Sequence, residues 1–224
     1  MIIKKILKEI YIINWKFFSK IYSPFIIKKY FLNNKISKLH IGSGKNYKLG
    51  WLNCDISPFS TNVIYTDVTK KFPFKDNSLD YIYSEHMIEH INYKDGLLML
   101  KECYRILKPN GIIRITTPDL FILIDILKNN QHKYNDYINW SHDENNLVDK
   151  NSIEVFNNFF QSWGHKFIYS KDFMKSNLDK IGFKNLEFFH VGESTHENLK
   201  NLENINRLPK NFLQIESFTV EGNK

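Results

Sequence analysis

The sequence predicts an α/β protein built on a mainly parallel sheet, and three observations carry that expectation. Five short apolar, β-branched runs follow one another between residues 38 and 119, each bounded by turn residues. Within them apolar residues are near-continuous, as in strands covered on both faces. Each run closes on small or polar groups, at the edge where open α/β sheets hold ligands.

The first run is Leu39-His40-Ile41-Gly42-Ser43-Gly44, and the second is Trp51-Leu52-Asn53-Cys54-Asp55. Val63-Ile64-Tyr65-Thr66-Asp67 and Leu79-Asp80-Tyr81-Ile82-Tyr83-Ser84-Glu85-His86 come next, then Gly111 through Asp119. Leu120–Asn129 has a helical pattern, and Asn130–Ser162 is a polar, Asn-rich stretch punctuated by aromatics that resembles an inserted cap more than sheet. Asp172–Ile181 is a further helix, stopped by Gly182. Two more strands are expected at Asn185–Val191 and Phe212–Val220.

Ahead of the sheet, Ile3, Ile6, Leu7, Ile10, Ile13 and Phe17 recur at helical spacing. Ser23-Pro24 is expected to start a second short helix that ends at Asn33-Asn34-Lys35. Residues 1–38 hold nine lysines against Glu9 alone, so the net charge of +7 belongs to this extension and the remainder is close to neutral. The domain division is therefore a basic amphipathic extension at 1–37 and a main domain at 38–224, with the cap at about 121–170. Such an extension suits an anionic membrane surface, a homodimer contact or packing on the domain itself. A near-neutral main domain argues against nucleic acid as partner.

Charged residues at 25% and aromatics at 15% exclude a disordered chain. Cys54 and Cys103 give no disulfide framework, which fits a reducing, cytoplasmic setting. No apolar run has the roughly 18 to 20 residues needed to span a bilayer.

Gly42-x-Gly44 lets a ligand approach the backbone closely, but Tyr47 stands where a dinucleotide fingerprint has its third glycine. Asp55 at the end of the second strand suits a ribose diol, and Asp67 after the third suits an adenine amine; each could instead be turn chemistry. Gly50-Trp51-Leu52-Asn53-Cys54-Asp55, Phe72-Pro73-Phe74, Ser84-Glu85-His86-x-x-Glu89-His90, Leu107-Lys108-Pro109-Asn110-Gly111 and Trp163-Gly164-His165-Lys166-x-x-Tyr169 complete an ordered set. Over about residues 38–222 that set resembles class I S-adenosylmethionine-dependent methyltransferases, closest to a small bacterial type-11-like group associated with polysaccharide biosynthesis.

The resemblance implies a Rossmann-like, seven-stranded, mainly parallel sheet whose last strand runs antiparallel. It implies S-adenosylmethionine as cofactor, held by His40, Gly42, Ser43, Gly44, Asp55, Ile56, Asp67, Val68, Ser84, Glu85 and His86. Only Lys45–Trp51 separate Gly44 from the second strand, so the helix usual after the first strand is expected to be very short or missing.

For an acceptor hydroxyl the protein must align an in-line displacement and remove a proton, and histidine is the natural base near neutral pH. The catalytic candidates are His86, His165 and Tyr169, with Lys166 able to bind an acidic or sugar group and His196 in a polar loop. His86-Met87-Ile88-Glu89-His90 also fits the H-x-x-E-H zinc-peptidase pattern, but no third ligand stands out downstream and no metal is expected. The expected function is O-methylation of a sugar, a sugar nucleotide or a surface-glycan substituent. The alternatives are a non-catalytic cofactor-binding scaffold and a zinc hydrolase.

Overall fold

The computed structural model describes residues 2–128 and 133–224, with side chains from Trp15 onward. Helix α1 (Ile2–Asn33) leads into strands β1 (Lys38–Ile41), β2 (Leu52–Asp55), β3 (Val63–Tyr65) and β4 (Leu79–Glu85). After a single tight turn at Ile88–His90 come α2 (Tyr93–Ile106), β5 (Leu107–Pro118), α3 (Leu120–Lys128), α4 (Asn135–Asn145) and α5 (Ser152–Gln161). Helix α6 (Lys171–Ile181), β6 (Lys184–Phe189), α7 (Phe212–Glu216) and β7 (Ser217–Asn223) complete the chain.

The seven strands form one sheet in the order β3-β2-β1-β4-β5-β7-β6, with β7 antiparallel to both neighbours and the other adjacent pairs parallel. This is the sheet that the sequence implies. Its register aligns Ile41 with Cys54 on one side and with Ser84 on the other, and Glu85 with Thr116. The residues that follow, Gly42, Asp55, His86 and Thr117, therefore gather along one edge.

One sheet face buries Leu39, Ile41, Ile82, Ile113 and Val220 under α1, α2 and α6. Helix α2 presents Met99, Leu100, Cys103 and Ile106 to it at helical spacing, all inaccessible to solvent. Each such side chain contributes about 1.5–3 kcal/mol by leaving water. Helix α6 starts with the Ser170 hydroxyl accepting from Phe173 N–H, and Gly182, at φ 120°, turns the chain back as expected.

No helix covers the stretch between β1 and β2; residues 42–51 are turns, as the short spacing requires. The opposite face is covered instead by the irregular segment 190–211. Its Leu199 and Leu202 pack on Trp51, Tyr83 and Ile112, and its Glu203 reaches Arg114 on β5. A separate cluster of Leu123, Ile126, Tyr137, Ile138, Val155 and Phe159 joins α3, α4 and α5.

Two expectations change. The N-terminal region is one helix running through Pro24, not two. An internal proline costs about 3 kcal/mol or more. Ile26, Ile27, Tyr30 and Phe31 pack against the main core, and the Tyr30 hydroxyl donates to the Lys38 and Gly50 carbonyls and accepts from Lys38 N–H. Those contacts hold the helix straight on. The C-terminal part of the extension thus packs on the main core. The residues Ile3 to Ile13 and Asn129 carry expectations that lie outside the described side chains or residues.

The second change is at Phe212–Val220, where the first half is α7 and only the second half is strand. Phe212 and Ile215 lie three residues apart and pack on the cap cluster, which a strand could not reach from one face.

Candidate functional site

The carboxyl edge of β1, β2 and β4 is built to receive a polar, adenosyl-like group. Asp55 is half-buried; Oδ2 accepts from Gly44 N–H at 2.9 Å and Oδ1 from Ser57 N–H at 2.8 Å. Each oxygen keeps a second lone pair, so both hydroxyls of a ribose can donate to it. The Ser43 and Ser84 hydroxyls are buried with no hydrogen-bond partner among the described residues. A side chain at Gly44 would meet nothing within 4 Å, which leaves open space beside these groups. Orphaned hydroxyls, a half-used carboxylate and bare backbone fit the adenosyl portion of S-adenosylmethionine.

Several neighbours are differently employed than expected. Gly42, at φ 68°, would place a side chain 2.2 Å from Met87 Cγ, so its small size accommodates Met87. His40 is buried, its Nδ1 3.1 Å from Asn53 Oδ1 and its ring 5.0 Å from that of Tyr83; burial pushes its imidazole down to about 3. It is a neutral packing residue under the sheet edge. Asp67 accepts from Thr69 N–H and Oγ1–H and pairs with Lys70 at 3.1 Å, which is turn chemistry, and Val68 packs on the core. Glu85 accepts from Asn204 N–H and the Tyr83 hydroxyl, tying segment 190–211 to β4. Ile56 is exposed at the rim.

Beside this edge lies a cleft of about 760 Å³ lined by His86, Glu89, His90, Trp140, Glu144, Asn145, Trp163, His165, Arg207 and Glu216, among others. His86 sits at its floor in a left-handed conformation, φ 44°. Its Nε2 lies 2.9 Å from Ser217 Oγ and its Nδ1 3.2 Å from Glu89 Oε1. Both ring nitrogens are thus spoken for, and His86 holds Glu89 in place.

Glu89 is wholly buried. Oε2 accepts from the Thr117 hydroxyl at 3.1 Å. Oε1 faces His86 Nδ1 at 3.2 Å and has no other partner among the described residues. Burial would lift its carboxyl, but contact with His86 and the charges of His86 and His90 outweigh that and hold it below the usual glutamate range.

His165 arrives from 76 positions downstream. Lys166 N–H and Phe167 N–H both donate to the Glu89 carbonyl, at 2.7 and 3.2 Å, and Gly164 (φ 79°) turns the chain against His90. The rings of His90 and His165 stand 4.9 Å apart. His165 Nδ1 is 2.7 Å from the Phe159 carbonyl, which can only accept, so Nδ1 carries the proton and Nε2 keeps a free lone pair. Burial pushes this imidazole below its usual range. Tyr169, expected beside the acceptor, is instead in the main core: it is 1% exposed, and its hydroxyl lies 2.4 Å from where a side chain on Gly96 would begin. Bonds between Leu120 N–H and the Tyr169 carbonyl hold it there.

The sequence offered no third ligand to join His86 and His90; the fold instead groups Glu89 and His90 with His165. Only the backbone pairing of 166–167 with Glu89 brings it in, and no local pattern encodes that pairing.

Residues 39–115 match a family model described as a methyltransferase domain. The fold is also that of two solved structures. A SAM dependent methyltransferase from Archaeoglobus fulgidus is 18% identical, with 93% of each chain covered and a TM-score of 0.53. An S-adenosylmethionine dependent methyltransferase from Mesorhizobium loti is 13% identical, with 84% of this chain and 91% of that one covered and a TM-score of 0.52. The chain thus carries a methyltransferase domain over residues 39–115 and has the fold of S-adenosylmethionine-dependent methyltransferases. No curated protein matches the chain. The matched segment contains the serines, Asp55 and the Glu89–His90 pair, whereas the cleft's other wall comes from outside it.

Proposed function

We propose that this methyltransferase moves a methyl group to a hydroxyl of a sugar, a sugar nucleotide or a surface-glycan substituent. The observation that carries the reading is the cleft, where Trp140 and Trp163 offer apolar ring faces among Glu144, Asn145, Arg207 and the histidines. Aromatic faces interleaved with carboxylate, amide and cation groups suit a polyhydroxylated acceptor that carries an acidic substituent. The association of the resembling group with polysaccharide biosynthesis points the same way.

S-adenosylmethionine, when bound, supplies a methyl group on a sulfonium leaving group. Asp55 would hold the ribose hydroxyls, and Ser43 and Ser84 would donate to polar atoms along the edge. Asp67, committed to Thr69 and Lys70, would contribute with Val68 only as a wall. The two tryptophans and Arg207 orient the acceptor, and His165 presents its Nε2 lone pair to the same cleft. Incubating the protein with methyl-labelled cofactor and a panel of sugar nucleotides and glycans tests this. Label in a sugar product is expected; cofactor binding without transfer to any acceptor would favour the scaffold alternative. His165→Ala should lower turnover far more than cofactor affinity.

The partner of α1 is an anionic membrane surface in this reading. Phe18, Ile21, Phe25 and Leu32 form an exposed apolar ridge, and lysines dominate the helix's charge. Among the described residues no helix is long and apolar enough to cross a membrane. Co-sedimentation with vesicles containing anionic lipid, and none with zwitterionic ones, is the expected result. A concentration-dependent dimer that ignores both vesicle types would assign the ridge to a second copy.

A further inference from the structure

We infer that Glu89, His90 and His165 form a binding site for a divalent ion of the zinc class, with an open position toward the cleft for an acceptor oxygen. The ligand atoms of these three residues lie within 4.8 Å of one another. A tetrahedral zinc ion needs ligands at about 2.0–2.2 Å, so side-chain rotation closes the set around one centre. Two imidazoles and one carboxylate match the three-ligand, one-vacancy pattern of zinc sites that handle substrates.

Four features support it beyond proximity. Glu89 is fully buried, and beyond the 3.2 Å contact with His86 Nδ1 its Oε1 has no partner among the described residues, which leaves room for a cation beside this carboxylate. His165 is held by the Phe159 carbonyl in the tautomer that leaves Nε2 free, an arrangement that metal-ligating histidines share. Thr117 donates to Glu89 Oε2 and fixes the carboxylate's plane. His90 has no hydrogen bond to its ring among the described residues and lines the cleft with the other two.

The inference rests on the proposed function for its purpose alone: the ion would bind the acceptor through a hydroxyl or carboxylate oxygen and draw charge from it. That makes His165 a ligand, not a proton acceptor. It also separates this site from a hydrolase, because Glu89 is a ligand with no freedom to activate water.

Titration calorimetry of the chelator-treated full-length protein with zinc sulfate tests the site without any activity measurement. One ion per chain is expected. Glu89→Gln and His90→Ala should each weaken binding by roughly 100-fold or more, and Thr117→Val by about tenfold. Circular dichroism melts check folding, and His90→Ala, at the cleft surface, is the variant least exposed to misfolding. Absence of zinc binding, or wild-type affinity in His90→Ala and Glu89→Gln, would overturn the site. Zinc bound with no glycan methylated supports the site and sinks the acceptor reading. Methyl transfer unaffected by chelation, with no zinc bound, does the reverse.

Discussion

Two clusters of buried charge sit on this sheet, and they differ in completion. Around Arg114 every carboxylate oxygen is used: Glu203 Oε1 accepts from Arg114 Nε and the Thr116 hydroxyl, and Oε2 from Gly192 N–H. Glu221 accepts from Arg114 Nη1 and the Ser194 hydroxyl. Around Glu89 an equally buried carboxylate has Oε2 bonded to Thr117 and Oε1 left with the His86 contact alone, in a group with His90 and His165 at a cleft. Burial alone does not distinguish the two; the use of the carboxylate oxygens does, although Arg114 Nη2 in the first cluster is also without a partner among the described residues. The first cluster fastens segment 190–211 to the sheet, and the second keeps capacity in reserve.

The largest effect that would sharpen this contrast is Arg114→Met. It leaves Glu203 and Glu221 buried without their cation and should cost about 3–5 kcal/mol in urea-denaturation stability. Glu89→Gln keeps an acceptor for Thr117 and loses only the contact with His86, so about 1–2 kcal/mol is expected in the same assay. Equal costs for both variants would erase the distinction. Asp55→Ala removes a half-buried carboxylate whose two oxygens each accept one backbone N–H and keep a lone pair, and should weaken cofactor binding by about 1–3 kcal/mol, with calorimetry as the measure. The smallest effect on stability, within about 0.5 kcal/mol, is expected for exposed Phe25→Ser, which should nevertheless reduce co-sedimentation with anionic vesicles.

The same contrast explains what the sequence disclosed. Strands such as Leu39–Ile41 and Ile112–Ile115 are mostly apolar because both faces are covered, so their positions and parallel order were legible despite His40 and Arg114 within them. Asp55 was legible too, since its place follows from the strand it ends. Pro24 misled because Ile26, Ile27, Tyr30 and Phe31 outweigh a local break, and that packing is tertiary. His40 and Tyr169 are polar-tipped residues that the fold turned inward, and a sequence does not say which side of a strand faces a ligand. The union of His165 with Glu89 depends on two backbone bonds across 76 positions, which no periodicity records.

Where a helix is missing between β1 and β2, the chain shields its earliest strands with the distant segment 190–211. Glu85 waits for Asn204, 119 positions later, and Lys38 for Asn198, 160 positions later. Closures across such sequence separations are slow to find. During synthesis the first half of the sheet must therefore stand with one side wet until residues 190–211 have been made, so the cofactor edge matures only once that segment has folded back.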